Sequence, residues 1–552
     1  AKAARPGAPR HRSCDGSIMV EKVAPDTESP LAGKPGLITG IPIPLQVPCV
    51  PYTDHTGTRR PGVTTVAFAD LTVRDGQQSL AATRMTTVQA LSVMPLIRDV
   101  GFTAIEVWGG AVLDSCIRYR NEDPWQRLDA FSSVVPEPTK LRTLLRGQNL
   151  FAYQPFPDDL VIAFIKEAVH SGTGLIRIFD ALNDWRNLQI ALLAIRAYGG
   201  TVEAGLSYTV SPIHTTDHYV DLALKLASEG AHRIVVKDMA GLLQPLEALD
   251  LFGKLKRTLA IPVVFHSHTT TGFATLNAVI AMQEGADIVD CAITPFAGGP
   301  SHPPVEVLVA FAETMGIDHG LDKAALGRAQ ARLFEIQSQL IDYIAPENRT
   351  HRPVDPDQID RRKVDEILER LARRDRADLM DAVVLMRALM GSLGYPTHDD
   401  DMLDAQVPGG MLSNLQSQLR QMGQLDRLDE ILEEIPRVRA DVGYVPLVTP
   451  TSQIVGSQAT FNVLMGRYAF VSNEFRMLLR GEFGRTPTPP DPEILHLVLG
   501  PGNEPLRYRP ASYLHPVLED DHDLPYVRTH RDLLLHLMLK QPADQFLQRR
   551  IA

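Results

Sequence analysis

The 552-residue sequence predicts a (β/α)8 barrel followed by a mostly helical C-terminal region. From Val63 to about Glu313, short β-branched runs alternate with amphipathic helical patterns, and such alternation with short turns means a parallel sheet. About eight of these units fall within roughly 250 residues, the size of a closed α/β barrel. Three runs end in chemically capable residues: Val66-Ala67-Phe68 leads to Arg74-Asp75-Gly76-Gln77-Gln78, Ile234-Val235-Val236 to Lys237-Asp238-Met239-Ala240-Gly241, and Val263-Val264-Phe265 to His266-Ser267-His268. A barrel gathers the C-terminal ends of its strands on one face, so Asp75, Lys237, His266 and His268 can meet there. A doubly wound open sheet would alternate in the same way, but no glycine-rich phosphate loop follows the first run.

In chain order, residues 1–60 are rich in Pro, Gly and short polar residues, and Ile41-Pro42-Ile43-Pro44 and Pro48-Cys49-Val50-Pro51 break any helix or long strand. An extended arm, disordered or laid over a neighbour, is expected there. Residues 61–320 hold the barrel, with strands expected at 65–69, 104–108, 150–153, 175–179, 202–207, 233–236, 263–265 and 288–292. Amphipathic helices are expected between them, for example at 88–98, 158–169, 218–227 and 246–257. Residues 321–402 read as a helical extension, with an apolar stripe over 324–343 and a charged helical pair over 361–390 joined near Arg374-Asp375. Residues 403–552 read as a C-terminal domain that opens on Pro408-Gly409-Gly410, with helices expected at 411–422, 425–434, 458–466, 475–480 and 532–540. Charged runs such as Glu366 to Arg374 read as solvated helix faces.

Composition narrows the function. A formal net charge of −11 argues against a nucleic-acid-binding surface. Cys14, Cys49, Cys116 and Cys291 form no CxxC pair and read as free thiols in a reducing compartment. No stretch approaches the ~20 apolar residues of a membrane span, and no apolar region follows the basic N-terminus, so a cytoplasmic location is expected.

Side chains alternate faces along a strand, so His266 and His268 point to the same side and can share one metal ion. Two imidazoles and a carboxylate suit Zn, Mn or Co, and such a site needs one further ligand or water. A protonated Lys237 would repel the ion, whereas a carbamylated Lys237 would be an anionic oxygen ligand; a salt bridge from Lys237 to Asp238 or Asp75 is the alternative.

Phe68-Ala69-Asp70-Leu71-Thr72-Val73-Arg74-Asp75-Gly76-Gln77-Gln78, Glu106-Val107-Trp108-Gly109-Gly110, Leu145-Arg146-Gly147-Gln148-Asn149, Val236-Lys237-Asp238-Met239-Ala240-Gly241 and His266-Ser267-His268 occur in that order. With Gln406-Val407-Pro408-Gly409-Gly410-Met411 and Leu447-Val448-Thr449-Pro450-Thr451-Ser452-Gln453, the chain resembles the carboxyltransferase component of biotin-dependent enzymes. The resemblance implies that Asp75, His266 and His268 bind a divalent metal with Lys237, as a carbamate, the fourth ligand. It implies that Arg74, Gln78 and Arg146 hold a small keto acid and its enolate. A guanidinium grips a carboxylate with paired hydrogen bonds, and an amide can donate to an enolate oxygen. A salt bridge to Asp75 is the alternative role for Arg74, and a packing role is the alternative for Arg146. The implied reaction moves a carboxyl group between carboxybiotin and pyruvate or oxaloacetate. The family also implies a dimer or higher assembly.

The sequence departs from that family in three ways. Members carry a threonine that moves a proton in the loop after the eighth strand, but this chain reads Ala297-Gly298-Gly299-Pro300-Ser301-His302-Pro303, with Pro300 at that point. Proline has no exchangeable side-chain proton, which leaves Ser301 or His302 as relay candidates. The second departure is the charged insertion at 361–395, expected to cap the core in preference to binding another subunit. Third, no Met-Lys-Met biotinylation turn occurs and no length remains for a biotin carboxylase, so a separate biotin carboxyl carrier protein and a biotin carboxylase subunit are the expected partners. Two rival functions are an aldol- or Claisen-type lyase or synthase on the same kind of metal barrel, and a non-catalytic scaffold subunit.

Overall fold

The computed structural model describes residues 64–551 apart from 138–139, 397, 399–414, 416–418, 421, 521 and 523. The N-terminal arm, Pro408-Gly409-Gly410 and most of the helix expected at 411–422 lie outside the described residues.

Eight parallel strands, β1 (Ala67–Asp70), β2 (Ala104–Trp108), β3 (Leu141–Leu145), β4 (Leu175–Phe179), β5 (Thr201–Ser207), β6 (Arg233–Asp238), β7 (Val263–Ser267) and β8 (Ile288–Cys291), pair in chain order and close through β1 on β8. The third expected strand is corrected: 150–153 forms a turn, where Leu150 sits at φ 47°, and the strand is Leu141–Leu145. A basic residue, Arg142, is the second of that strand and hides its β character, yet it points into the barrel and is wholly buried. β6 and β7 also run further than expected, so Lys237 and His266 are strand residues placed opposite each other in register.

The interior is layered, because residues two apart on a strand share a face. Ala69, Ala104, Leu175, Val235, Val264 and Ile288 form an apolar layer. Two residues toward the C-terminal face, Glu106, Arg177, Lys237, His266 and Asp290 replace it with polar and ionic groups. Arg142 and Glu203 complete this layer: Arg142 donates to Glu106, Glu203 and Asp290 at 2.9, 3.3 and 2.9 Å, and Arg177 pairs with Glu203 at 2.9 Å and with Asp290. All five of these ion-pair members are completely buried. A cost of several kcal/mol per desolvated ion makes such a layer viable only when every member is paired, and here each is.

Helices cover the barrel at Thr87–Val100, Asp158–His170, Thr216–Ser228 and Pro245–Thr258, close to their expected spans. Thr86 and Gln89 form a capping box at the first of these, and Thr215 caps the third. The charged insertion forms the helical pair Arg361–Arg373 and Arg376–Leu393, broken by Arg374 in the left-handed region at φ 57°. It buries Val364, Ile367, Leu379, Val383, Met386 and Leu389 against the barrel helices Pro245–Thr258, Ala274–Gln283 and Val305–Thr314. Arg374 pairs with Glu284 at 2.7 Å and Arg361 with Glu313 at 2.8 Å, so the pair caps this side of the barrel. Beyond its end, Tyr395 bonds Thr294 after β8 at 2.7 Å.

The C-terminal helices Asn473–Leu479 and His530–Leu539 match expected segments, Leu428–Asp441 runs past the expected end at 434, Thr451–Met465 starts ahead of the expected 458, and Pro492–Leu499 and Gln541–Ile551 were not expected. Each of these last two has a proline in its first turn, Pro492 and Pro542, where no hydrogen-bond donor is needed and a helix starts readily. Ile431, Ile435, Val438, Val455, Phe475 and Leu478 build a separate core that also takes in Leu182 from the loop after β4. Arg439 fastens this region to the barrel, donating to Val210 O at 2.7 Å and to Thr209 Oγ1 at 2.8 Å. No helix among the described residues is long and apolar enough to cross a membrane.

Candidate active site

Immediately after β1 the chain turns through a wide helical turn, Thr72–Gly76, that sets Arg74 and Asp75 at the barrel mouth. Gly76 is required by close approach, since a Cβ there would lie 2.8 Å from Phe296 O. A second constrained glycine, Gly241, has φ 71° and would bring a Cβ within 2.7 Å of His268 O. Asp238 holds that loop by accepting from Leu242 N, Leu243 N and Ser267 Oγ at 2.8–3.0 Å. It is not a salt-bridge partner of Lys237, whose Nζ instead lies 2.9 Å from His266 Nε2.

Asp75, His266, His268 and His302 each offer a donor atom within 4.8 Å of the others, a set of three nitrogens and one oxygen that fits a borderline divalent ion. His266 directs its Nδ1 at Asp290 Oδ2, 2.7 Å away, and His268 directs its Nδ1 at Pro300 O, also 2.7 Å away. Both acceptors place the proton on Nδ1 and leave the Nε2 lone pair facing Asp75, the arrangement a metal-binding imidazole needs. Burial pushes the His268 imidazole down to about 3 and the His266 imidazole well below the ordinary range, which keeps both neutral. Burial opposes ionisation of Asp75, but the Arg74 guanidinium 2.8 Å away holds its carboxyl well below the usual range.

A cavity of about 310 Å³ opens beside this cluster and is lined by Arg74, Asp75, Gln78, Arg146, Lys237 and His268, with Ser79 and the apolar Leu144, Leu150, Phe151, Phe179 and Met239. Leu447, Val448, Thr449, Ser452 and Gln453 from the C-terminal region close the other wall. Arg74 is clamped by Glu106 and by Asp75 at 2.8 Å, and donates to Gln78 Oε1 at 3.3 Å. The salt bridge to Asp75 is therefore real and coexists with exposure to the cavity. Arg146 donates to Phe151 O and Ala152 O at 3.0 and 3.2 Å, so it both braces its loop and lines the cavity. Burial brings Lys237 down to about 7, so a large share of this amine is neutral near neutral pH.

Of the expected residues, Ser301 and His302 do not line the cavity. The buried Ser301 hydroxyl donates to Phe296 O at 2.7 Å, and His302 sits in the donor cluster, so neither touches the space a substrate would fill. Glu106, Arg142, Arg177, Glu203 and Asp290 were missed, although a charge embedded in a β-branched run, as in Ile176-Arg177-Ile178, is a readable sign of a polar barrel interior. The wall at 447–453 carried no such sign beyond its motif.

The conserved carboxylase domain model matches residues 402–552, and the HMGL-like model matches residues 186–332. A pyruvate carboxylase subunit of Methanocaldococcus jannaschii is 41% identical over 488 residues, which is 88% of this chain and 78% of the relative. The chain belongs to the carboxyltransferase family of biotin-dependent enzymes. Within that family, the methylmalonyl-CoA carboxyltransferase 5S subunit of Propionibacterium freudenreichii is 35% identical over 493 residues, 88% of each chain. The carboxyl transferase domain of Rhizobium etli pyruvate carboxylase, solved with pyruvate, superposes with a TM-score of 0.72 at 27% identity over 88% of this chain and 78% of that one.

Proposed function

We propose that this carboxyltransferase moves a carboxyl group between carboxybiotin and pyruvate or oxaloacetate through an enolate. The observation that supports it most is a single cavity in which Arg74, Gln78 and Arg146 stand beside Lys237 and His268. Arg74 and Arg146 bind the keto-acid carboxylate. Gln78, whose oxygen is occupied by Arg74, turns its amide donor toward the enolate oxygen. Asp75, His266 and His268 hold a divalent ion, Zn, Mn or Co. The neutral amine of Lys237 adds CO2 and releases a proton to become a carbamate ligand. When bound, the ion supplies positive charge beside the developing enolate.

The apolar walls at Leu144, Phe151, Phe179, Met239, Leu447 and Val448 keep water from protonating the enolate. With Ser301 turned away, Ser79, Thr449 and Ser452 are the lining hydroxyls that can pass a proton between the two substrates. Carboxybiotin reaches the cavity on a biotin carrier that a biotin carboxylase subunit recharges, a reading supported by the likeness to a pyruvate carboxylase subunit. The C-terminal wall favours this reading over a lyase or synthase. A wholly buried set of paired charges speaks against an inert scaffold, since unneeded buried ions are costly.

Oxaloacetate decarboxylation by the metal-loaded chain, with and without free biotin, tests the reading. Biotin-stimulated CO2 release that disappears in Lys237→Ala is expected. A metal-loaded chain that releases no CO2 under either condition overturns it.

A further inference from the structure

We infer that His302 is a direct ligand of the metal ion, giving a site of three imidazoles and one carboxylate to which Lys237 adds as a fifth donor. The inference rests on the metal-dependent reading above and changes its ligand set. His302 is completely buried, and its Nε2 lies 3.0 Å from Asp75 Oδ2, inside the donor cluster.

The ring is anchored in the same way as its two neighbours. His302 Nδ1 lies 3.0 Å from Ser267 O, which can only accept, so the proton sits on Nδ1 and the lone pair on Nε2. His268 makes the equivalent bond to Pro300 O and His266 to Asp290, so all three imidazoles turn Nε2 toward one point. From Asp75 Oδ2 the three Nε2 atoms are 3.0 Å (His302), 3.7 Å (His268) and 4.0 Å (His266) away. Donors bound at ~2.0–2.1 Å to one tetrahedral ion are about 3.3 Å apart, and these distances bracket that value. A bare lone pair 3.0 Å from a carboxylate oxygen is repulsive unless a cation lies between them. With an ion bound, that cation is the metal.

Pro300 then has a structural part. Its carbonyl anchors His268 while the next two residues bring His302 into the cluster, so the loop that lacks the family threonine supplies a ligand instead.

X-ray absorption of the Zn(II)-loaded full chain counts the imidazoles directly. Three are expected in the wild type and two in His302→Gln. Zn(II) affinity of the variant, measured against a chromophoric chelator, should fall by more than ~100-fold, beyond the ~10–100-fold lost with a supporting hydrogen bond. Two imidazoles in the wild type, or an unchanged count and affinity in His302→Gln, overturn the inference. Should the variant fail to fold, the wild-type count decides alone. A chain with two imidazoles that still decarboxylates oxaloacetate refutes only the ligand set. One with three imidazoles and no CO2 release refutes only the reaction, and a chain that takes up no Zn(II) refutes both.

Discussion

Glu203→Gln probes the ionic layer beneath the site without touching the cavity. The wholly buried Glu203 carboxylate accepts from Arg177 Nε at 3.0 Å, Arg142 Nη1 at 3.3 Å and Arg233 Nη1 at 2.9 Å. Glutamine keeps the shape and one acceptor oxygen but removes the charge. Breaking a buried ion pair costs ~3–5 kcal/mol, and because Arg142 and Arg177 retain Asp290 the loss should sit near the lower end, about 3 kcal/mol. That is a large fraction of a total stability of ~5–15 kcal/mol. Urea unfolding followed by circular dichroism should show an earlier midpoint with an unchanged slope. The effect should depend on pH. Burial pushes Glu203 up, but Arg177, Arg142 and Arg233 bring it below its ordinary 4.5. A folded value below the unfolded one stabilises fully above pH 4.5 and is lost as pH falls through the folded value, so the gap between wild type and variant should narrow in acid. A loss under ~1 kcal/mol at pH 7 would refute the claim that the layer is a closed set of mutually dependent charges.

Three further outcomes follow from the site. Arg74→Lys loses the planar fork that meets Glu106, Asp75 and Gln78 together, so turnover with oxaloacetate should drop ~10²–10³-fold while the urea midpoint moves little. Gly76→Ala drives a methyl to 2.8 Å from the backbone carbonyl of Phe296, and should destabilise by ~1–3 kcal/mol while lowering the bound-metal stoichiometry read by atomic emission. Lys237, brought down to about 7, is mostly ammonium below that pH and mostly free amine above it. At a fixed concentration of dissolved CO2, CO2-stripped enzyme should therefore regain activity faster as pH rises through 7, and a pH-independent rate would count against carbamate formation at this lysine.

Much of the barrel was legible because a strand that is apolar on both faces writes an unmistakable run. Seven of the eight strands lie where β-branched residues cluster, and β3 escaped because Arg142 interrupts its run. A lone arginine reads as exposed. Only the convergence of Glu106, Glu203 and Asp290 from three other strands makes it an interior residue. The same limit applies at the site. The C-terminal strand ends pointed to Asp75, Lys237, His266 and His268, whereas the orientations of Ser301 and His302, adjacent in sequence and opposite in role, depend on Phe296 and Ser267.

The sequence by itself determined the barrel, the end of the barrel that carries chemistry, the family and the residue types gathered there, because strand alternation and βα punctuation are local properties of the chain. Tertiary structure alone decided which nitrogen faces which carboxylate, how three buried carboxylates share two buried guanidiniums, and that residues 447–453 wall the cavity. Those are distances between segments as much as ~380 residues apart, and no local pattern encodes them.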